Sequence, residues 1–421
     1  MSEQKKQWGA IIVMIALFSM IAFVTNLCTP MATIIKNQGE ISNVLAQIGN
    51  YGNFVAYLIM GIPAGMLIAK FGYKKTALIG LVVGIVGILI QWYSGQLDAQ
   101  ANLGLVFGVY LVGAFISGLC MCILNCVVNP MLNLLGGGGN KGNQLIQIGG
   151  VFNSTAAVAC YILMGALIAD ATKAKISDAT PALMIALAIF AIAFIVILFT
   201  KIEEPEQATV EVSLIKGAMS YRHFALGTLG IFLYMGIEVG VPNFVSLYLI
   251  SDCGITAGTA GMIVAVYWAM MLVGRFVGAN IGSAVSSRTM ITTVSTITII
   301  LVIFGMYAPD TQVNFPGVDW GKLEVIWAPI PMGIFSFLLV GLCTSVMWGA
   351  IFNMAVEGLG KYTAIASGIF MTMVFGCAVM MAIQASVADT FGYINSFWVV
   401  VFCAAYLLFY ALIGSKVSTK K

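Results

Sequence analysis

The spacing of charged side chains along this chain fits a lipid solvent and little else. Charge-free stretches run over 7–35, 41–69, 76–97, 99–140, 142–169, 179–200, 253–274, 289–309, 325–356, 362–388 and 390–415, and a further stretch, 223–251, holds one charge, Glu238. A helix needs about 20 apolar residues to cross the hydrocarbon core, and all twelve windows are that long. Their apolar runs are continuous, not alternating, which predicts helices and not a barrel. Composition agrees: 61% of positions are hydrophobic and 8% charged, against about 25% charged in a soluble domain. So few charges cannot cover a water-facing surface. A net charge of +3 without a dense basic patch excludes a nucleic-acid binder, and the apolar content excludes disorder.

Twelve crossings put both termini on one side, and Lys and Arg choose the side. Fifteen of the 19 basic residues (Lys5, Lys6, Lys70, Lys74, Lys75, Lys141, Lys201, Lys216, Arg222, Arg275, Arg288, Lys361, Lys416, Lys420 and Lys421) fall on the side of the N-terminus. Lys36, Lys173, Lys175 and Lys322 fall on the other. Both termini are therefore expected in the cytoplasm, with the chain multi-pass in a bacterial-type inner membrane. The first apolar run is long enough to remain as a span, so no cleavable signal peptide is expected. The cysteines are odd in number and mostly inside spans, which reads as small buried hydrophobes, not a metal site.

The most polar internal stretch, 201–223, separates six spans from six and reads as a cytoplasmic linker with a short surface helix. It divides the chain into an N-terminal half, 1–200, and a C-terminal half, 224–421. The halves repeat weakly. Gly118-Leu119-Cys120 returns as Gly341-Leu342-Cys343, Gly150-Val151-Phe152-Asn153 as Gly368-Ile369-Phe370-Met371, and Ala169-Asp170 as Ala388-Asp389. Gly61 and Gly65 before a basic loop match Gly274 and Gly278 before Arg288. Their common order argues for duplication, the plan of transporters that rock around a central site.

The turn after span two reads Gly65-Met66-Leu67-Ile68-Ala69-Lys70-Phe71-Gly72-Tyr73-Lys74-Lys75. It resembles the signature loop of the major facilitator superfamily, and the resemblance implies a gating role for Gly65, Lys70, Gly72, Lys74 and Lys75. Ala69 stands where the family usually has Asp. Asn125 to Pro130, the glycine turn 136–139, Phe152-Asn153-Ser154, Gly236-Ile237-Glu238-Val239-Gly240, Ile62-Pro63-Ala64-Gly65 and the run 351–361 resemble the fucose/galactose/glucose symporter family. That resemblance implies an all-α fold of twelve transmembrane helices in two six-helix halves, and places Asn125 and Asn153 at cavity-lining positions. The best-known proton-coupled members carry acids in spans one and four, where this chain has Thr29 and Asn125. Proton coupling does not carry over with the resemblance.

A polar group in lipid must find a partner or line a wet cavity. Glu238 is sixteen residues after Arg222 and fourteen before Asp252, roughly 20 Å from either flank at the helical rise. It is a candidate for ion coupling or for accepting sugar hydroxyls; the structural alternative is a tie between helices. Asn26, Gln47, Asn50, Asn53, Asn125, Asn129, Gln147, Asn153 and Asn243 offer amides that both donate and accept, as sugar hydroxyls require. Each could equally be an interhelical hydrogen bond. Tyr57, Tyr234, Trp268 and Trp348 fall near mid-depth and could stack on a sugar ring or simply pack. Arg275 is assigned to the cytoplasmic end of span eight, which leaves no cation at mid-depth and argues against phosphate, sulfate or carboxylate substrates. The sole histidine, His223, sits at the start of span seven and is not expected to relay protons. The run 136–139 lacks the lysine–serine ending of a nucleotide loop.

The leading reading is a secondary transporter importing a neutral monosaccharide of hexose or deoxyhexose type by alternating access. It needs no cofactor, with coupling to H+ or Na+ open. Its partners are a small neutral sugar and the lipid bilayer, with no nucleic acid, and a monomer is expected. The alternatives are a facilitator, a carrier of another neutral solute such as a nucleoside, and a non-transporting sugar sensor. No nucleophile–base set or metal spacing points to an enzyme.

Overall fold

The structure, a computed structural model, describes residues 8–37, 48–97, 102–135, 139–167, 175–202, 214–281, 285–309, 311–319, 324–359 and 362–417. Eleven helices there are long and apolar enough to cross a membrane: Trp8–Leu27, Lys70–Ser94, Gly104–Leu132, Leu145–Met164, Ser177–Phe199, Arg222–Ser251, Gly258–Gly278, Ser287–Tyr307, Gly333–Val356, Gly368–Phe391 and Tyr393–Gly414. The shorter apolar helix Phe54–Ile68 falls in the second window. It completes spans one to twelve in the order the sequence predicts. The linker contributes the six-residue helix Leu214–Met219.

Spans two and three form one helical run broken at Gly72, where φ is 83° and ψ 170°. A side chain with a Cβ is strained at that left-handed φ. The glycine of the signature loop therefore lets the chain leave the membrane and re-enter within a few residues. Pro63, Pro130 and Pro242 lie inside helices, each removing one backbone donor.

The repeat is visible in how the helices pack. Span one packs on five and seven on eleven; three packs on six and nine on twelve. Helices in lipid gain little from apolar burial, so close approach through small residues carries the association. A Cβ on Gly87 would lie 3.0 Å from the Gly113 carbonyl oxygen, between spans three and four. One on Gly305 would lie 3.0 Å from the Gly333 carbonyl oxygen, between nine and ten. The basic loops also match. Lys74 donates to the carbonyls of Leu198 (3.0 Å) and Thr200 (2.8 Å) at the end of span six. Arg288 donates to the Ala411 carbonyl (2.8 Å) at the end of span twelve. Each cation meets the negative end of a helix dipole and satisfies carbonyls that the helix itself leaves open.

One element was not anticipated. Strands β1 (Gln312–Asp319) and β2 (Glu324–Pro331) pair antiparallel, with Pro316 opposite Trp327, before span ten begins. The tenth charge-free window thus opens on a strand, not a helix. Gly317 packs on Thr259 near the start of span eight. Trp327 is exposed on this hairpin.

Candidate functional site

Span five packs on span eight, and span two on span eleven, so these two seams join the first six spans to the last six. At the first seam lies the main departure from the sequence reading. The guanidinium of Arg275 stands 4.0 Å from the carboxylate of Glu238, with the two side chains 12% and 15% exposed. Arg275 also donates to the backbone carbonyl of Gly150, and its Nη1 lies 3.4 Å from Asn153 Oδ1. Glu238 is therefore turned to a neighbouring helix and not to lipid. The expectation that no cation reaches this depth is wrong. The reason is geometric. Side chains on a helix tilt toward its N-terminus, and in span eight that direction leads away from the Gly278 end and toward the middle. The Cα position counted from the sequence missed the length of the side chain.

A second layer fixes the pair. Tyr267, also on span eight, donates to the Glu238 backbone carbonyl at 3.0 Å and lies 3.1 Å from Thr344 Oγ1 of span ten. Tyr234, one turn before Glu238, donates to the Thr344 carbonyl at 3.4 Å and stands in hydrogen-bonding reach of the Glu238 side chain. Spans seven, eight and ten are thus tied around one carboxylate. Tyr267 and Thr344 were not singled out from the sequence, since a tyrosine and a threonine in an apolar helix carry no distinguishing signal.

Three of the four predicted aromatics, Tyr234, Trp268 and Trp348, lie beside this layer, while Tyr57 lies with Asn125 between spans two and four. The ring of Trp348 lies 6.2 Å from Tyr234 and 6.1 Å from Phe370 of span eleven, centre to centre. Trp268 is buried against Tyr267 at 5.3 Å, edge to face. From span five, Gln147 meets span ten at the residue after Trp348: a Cβ on Gly349 would lie 3.3 Å from Gln147 Nε2. Glu238, Arg275, Asn153, Gln147, Tyr234 and Trp348 are therefore brought together from both sides of the seam.

The other amides divide. Asn125 donates to the Tyr57 hydroxyl at 2.9 Å, tying span four to span two, and Asn129 donates to the Asn125 carbonyl at 3.1 Å. Asn153 also donates to the Phe18 carbonyl of span one at 2.9 Å. Asn26 donates to Ala22 of its own helix at 2.8 Å. Asn243 is fully buried, with Nδ2 3.9 Å from the Met381 sulfur and Oδ1 without a protein partner among the described residues. Gln47 and the side chains of Asn50 and Asn53 lie outside the described residues. In the loop after span two, Lys74 is committed to span six as above, while Lys70 lies 5.2 Å from the ring of Phe71. Lys75 is exposed and Gly65 half-buried. His223 shares a 2.8 Å hydrogen bond with the Glu357 carbonyl at the far end of span seven from this cluster's centre.

The chain belongs to the Major Facilitator Superfamily, a family of membrane transporters, whose sequence profile matches residues 10–382. The glucose/galactose transporter of Brucella abortus biovar 1 (strain 9-941) is 29% identical over 426 residues, spanning 99% of this chain and 96% of its own length. The L-fucose-proton symporter of Escherichia coli (strain K12) is 20% identical, spanning 96% of this chain and 92% of its own. A crystal structure of the Escherichia coli fucose:proton symporter matches with a TM-score of 0.72 at 18% identity, over 99% of this chain and 100% of that one. At that identity the likeness carries the fold: twelve helices in two six-helix halves.

Proposed function

We infer that this protein is a secondary transporter that imports a neutral hexose or deoxyhexose by alternating access, and that Glu238 is its coupling carboxylate. The observation that carries the reading is the cluster at the seam of the two halves. It offers amides (Asn153, Gln147), a phenol (Tyr234) and an indole (Trp348), and its only charges among the described residues, Glu238 and Arg275, neutralise each other. Such a lining suits hydroxyls that donate and accept and a ring that stacks. An anionic sugar would have to draw Arg275 away from Glu238, so the preference for neutral substrates now rests on the pairing and not on the absence of a cation. The named activities of the relatives, glucose/galactose transport and L-fucose–proton symport, support the substrate class.

In this reading residues 1–200 and 224–421 are the rocking halves and 201–223 their cytoplasmic linker. Both termini face the cytoplasm of an inner membrane, and the protein works as a monomer. Asn125 with Tyr57, Asn129, Asn26, Asn243 and Trp268 make a supporting or contacting shell. The loop carrying Gly65, Lys70, Gly72, Lys74 and Lys75 governs the cytoplasmic gate. A facilitator is the second reading, favoured by Asn125 at a position where proton-coupled relatives carry an acid. Uptake into proteoliposomes with a panel of hexoses, deoxyhexoses and nucleosides, run with and without pH and sodium gradients, tests the assignment. Glucose, galactose or fucose should compete and a gradient should drive accumulation; transport of nucleosides alone would reject the sugar assignment.

A further inference from the structure

The guanidinium of Arg275 serves both halves at once. Nη1 is engaged by span five, through the Gly150 carbonyl and Asn153 Oδ1, while Nη2 faces Glu238 of span seven at 4.0 Å. That last distance is beyond hydrogen-bond length. The carboxylate is neutralised by the cation but keeps its lone pairs. Span five can come this close because residue 150 is glycine: a Cβ there would lie 3.2 Å from Arg275 Nη1 and 3.3 Å from its Cδ. Spans seven and eight, by contrast, are pinned to each other through Tyr267 and the Glu238 carbonyl. When the two halves part along the seam between spans five and eight, Arg275 must lose its span-five acceptors while Glu238 travels with it.

A guanidinium stripped of its acceptors in a low-dielectric site is costly and takes the nearest anion. Here that anion is Glu238, which a planar fork can grip with two hydrogen bonds. We propose that Arg275 expels the coupling cation: it rests on span five while Glu238 carries the ion, and closes onto Glu238 when the halves separate. The inference rests on Glu238 being the coupling carboxylate. The step balances. If the ion is a proton, the carboxyl O–H breaks, the proton passes to water on the opened side, and the carboxylate left behind accepts from a guanidinium that stays protonated throughout. If it is sodium, the ion leaves hydrated and the pair goes from singly positive to neutral in the same way. With the cytoplasmic orientation proposed above, the seam opens toward the cytoplasm, so the ion leaves on the side where imported sugar does.

The groups facing Glu238 fit this role. Its own helix presents Tyr234, and span eight presents Arg275 and Tyr267. Span ten brings Thr344 and Trp348, which do not titrate in the working range. Spans eleven and twelve bring Met380 and the Cys403 thiol against Gly236, on the opposite side of span seven.

The test uses full-length protein in proteoliposomes and reads two quantities: gradient-driven accumulation, and sugar exchange at equilibrium as a function of pH and sodium. Exchange needs no ion release. R275Q should therefore lose accumulation by roughly tenfold or more beyond whatever it loses in exchange, within the usual span of coupling between sites. Removal of the neighbouring positive charge also favours an occupied Glu238, so exchange in R275Q should persist to higher pH, or saturate at lower sodium, than in the wild type. G150A should shift the same midpoint the other way, since crowding Arg275 off span five pushes it onto Glu238 early. R275K, which keeps the charge without the fork, should restore accumulation in part. Equal losses of exchange and accumulation in R275Q, with no opposite shift in G150A, would reduce Arg275 to a strut and overturn the proposal. Wild-type-like accumulation in R275Q, with E238Q impaired, would overturn it while sparing the coupling role of Glu238. A wild type that accumulates sugar under neither gradient would remove both.

Discussion

At the scale of single residues, the hydrocarbon decides what each polar atom does. Glu238 survives there because Arg275 neutralises it, and Asn125 because it finds the Tyr57 hydroxyl 2.9 Å away. Tyr57 is buried, and its hydroxyl accepts from Asn125 and holds that amide in place. Tyr57→Phe removes one hydrogen bond worth about 1 kcal/mol. It should raise the sugar KM roughly fivefold with kcat little changed, measured as initial uptake rates; an unchanged KM would leave Asn125 outside the binding site. Asn125 and Asn153 were legible as candidates because an amide in an apolar helix stands out. Their partners were not, since a hydrogen bond between spans leaves no trace in the spacing of either. Arg275 was visible too, but the sequence gives a Cα depth and not a side-chain direction, and so hid its pairing with Glu238.

At the scale of elements, charge-free windows made the spans legible because lipid forbids unpaired charge along their length. The same rule hid the hairpin. Val325 to Pro331 carries no charge and reads as the start of span ten, yet Pro329 and Pro331 interrupt a helix more readily than a strand end. The predicted repeat is recognisable in Lys74 and Arg288, each bound to the carbonyl end of the last helix of its half. Lys74→Met and Arg288→Met should each lower stability by about 0.3–1 kcal/mol, as for a lost cation at a helix C-terminus. The two sites share no partner, so their effects should add in a melting assay of the purified protein. Gly72→Ala should cost roughly 1–2 kcal/mol at its left-handed φ, read as a lower melting temperature in detergent. A neutral Gly72→Ala would show that the chain can turn there with φ negative.

At the scale of the molecule, two six-helix halves meet along two seams, and the proposed site sits on one of them. Span five supplies Asn153 and Gln147, and spans seven, eight and ten supply Glu238, Tyr234, Arg275 and Trp348. Neither half holds the site alone, so opening one side must rearrange the contacts that a bound sugar would share. That coupling of binding to rocking is what a carrier needs. The most direct test is sugar accumulation in proteoliposomes under imposed pH and sodium gradients, comparing the wild type with Glu238→Gln. Wild-type protein should concentrate glucose, galactose or fucose under one of the two gradients, and Glu238→Gln should exchange the sugar without concentrating it. Undiminished accumulation in Glu238→Gln would contradict the account.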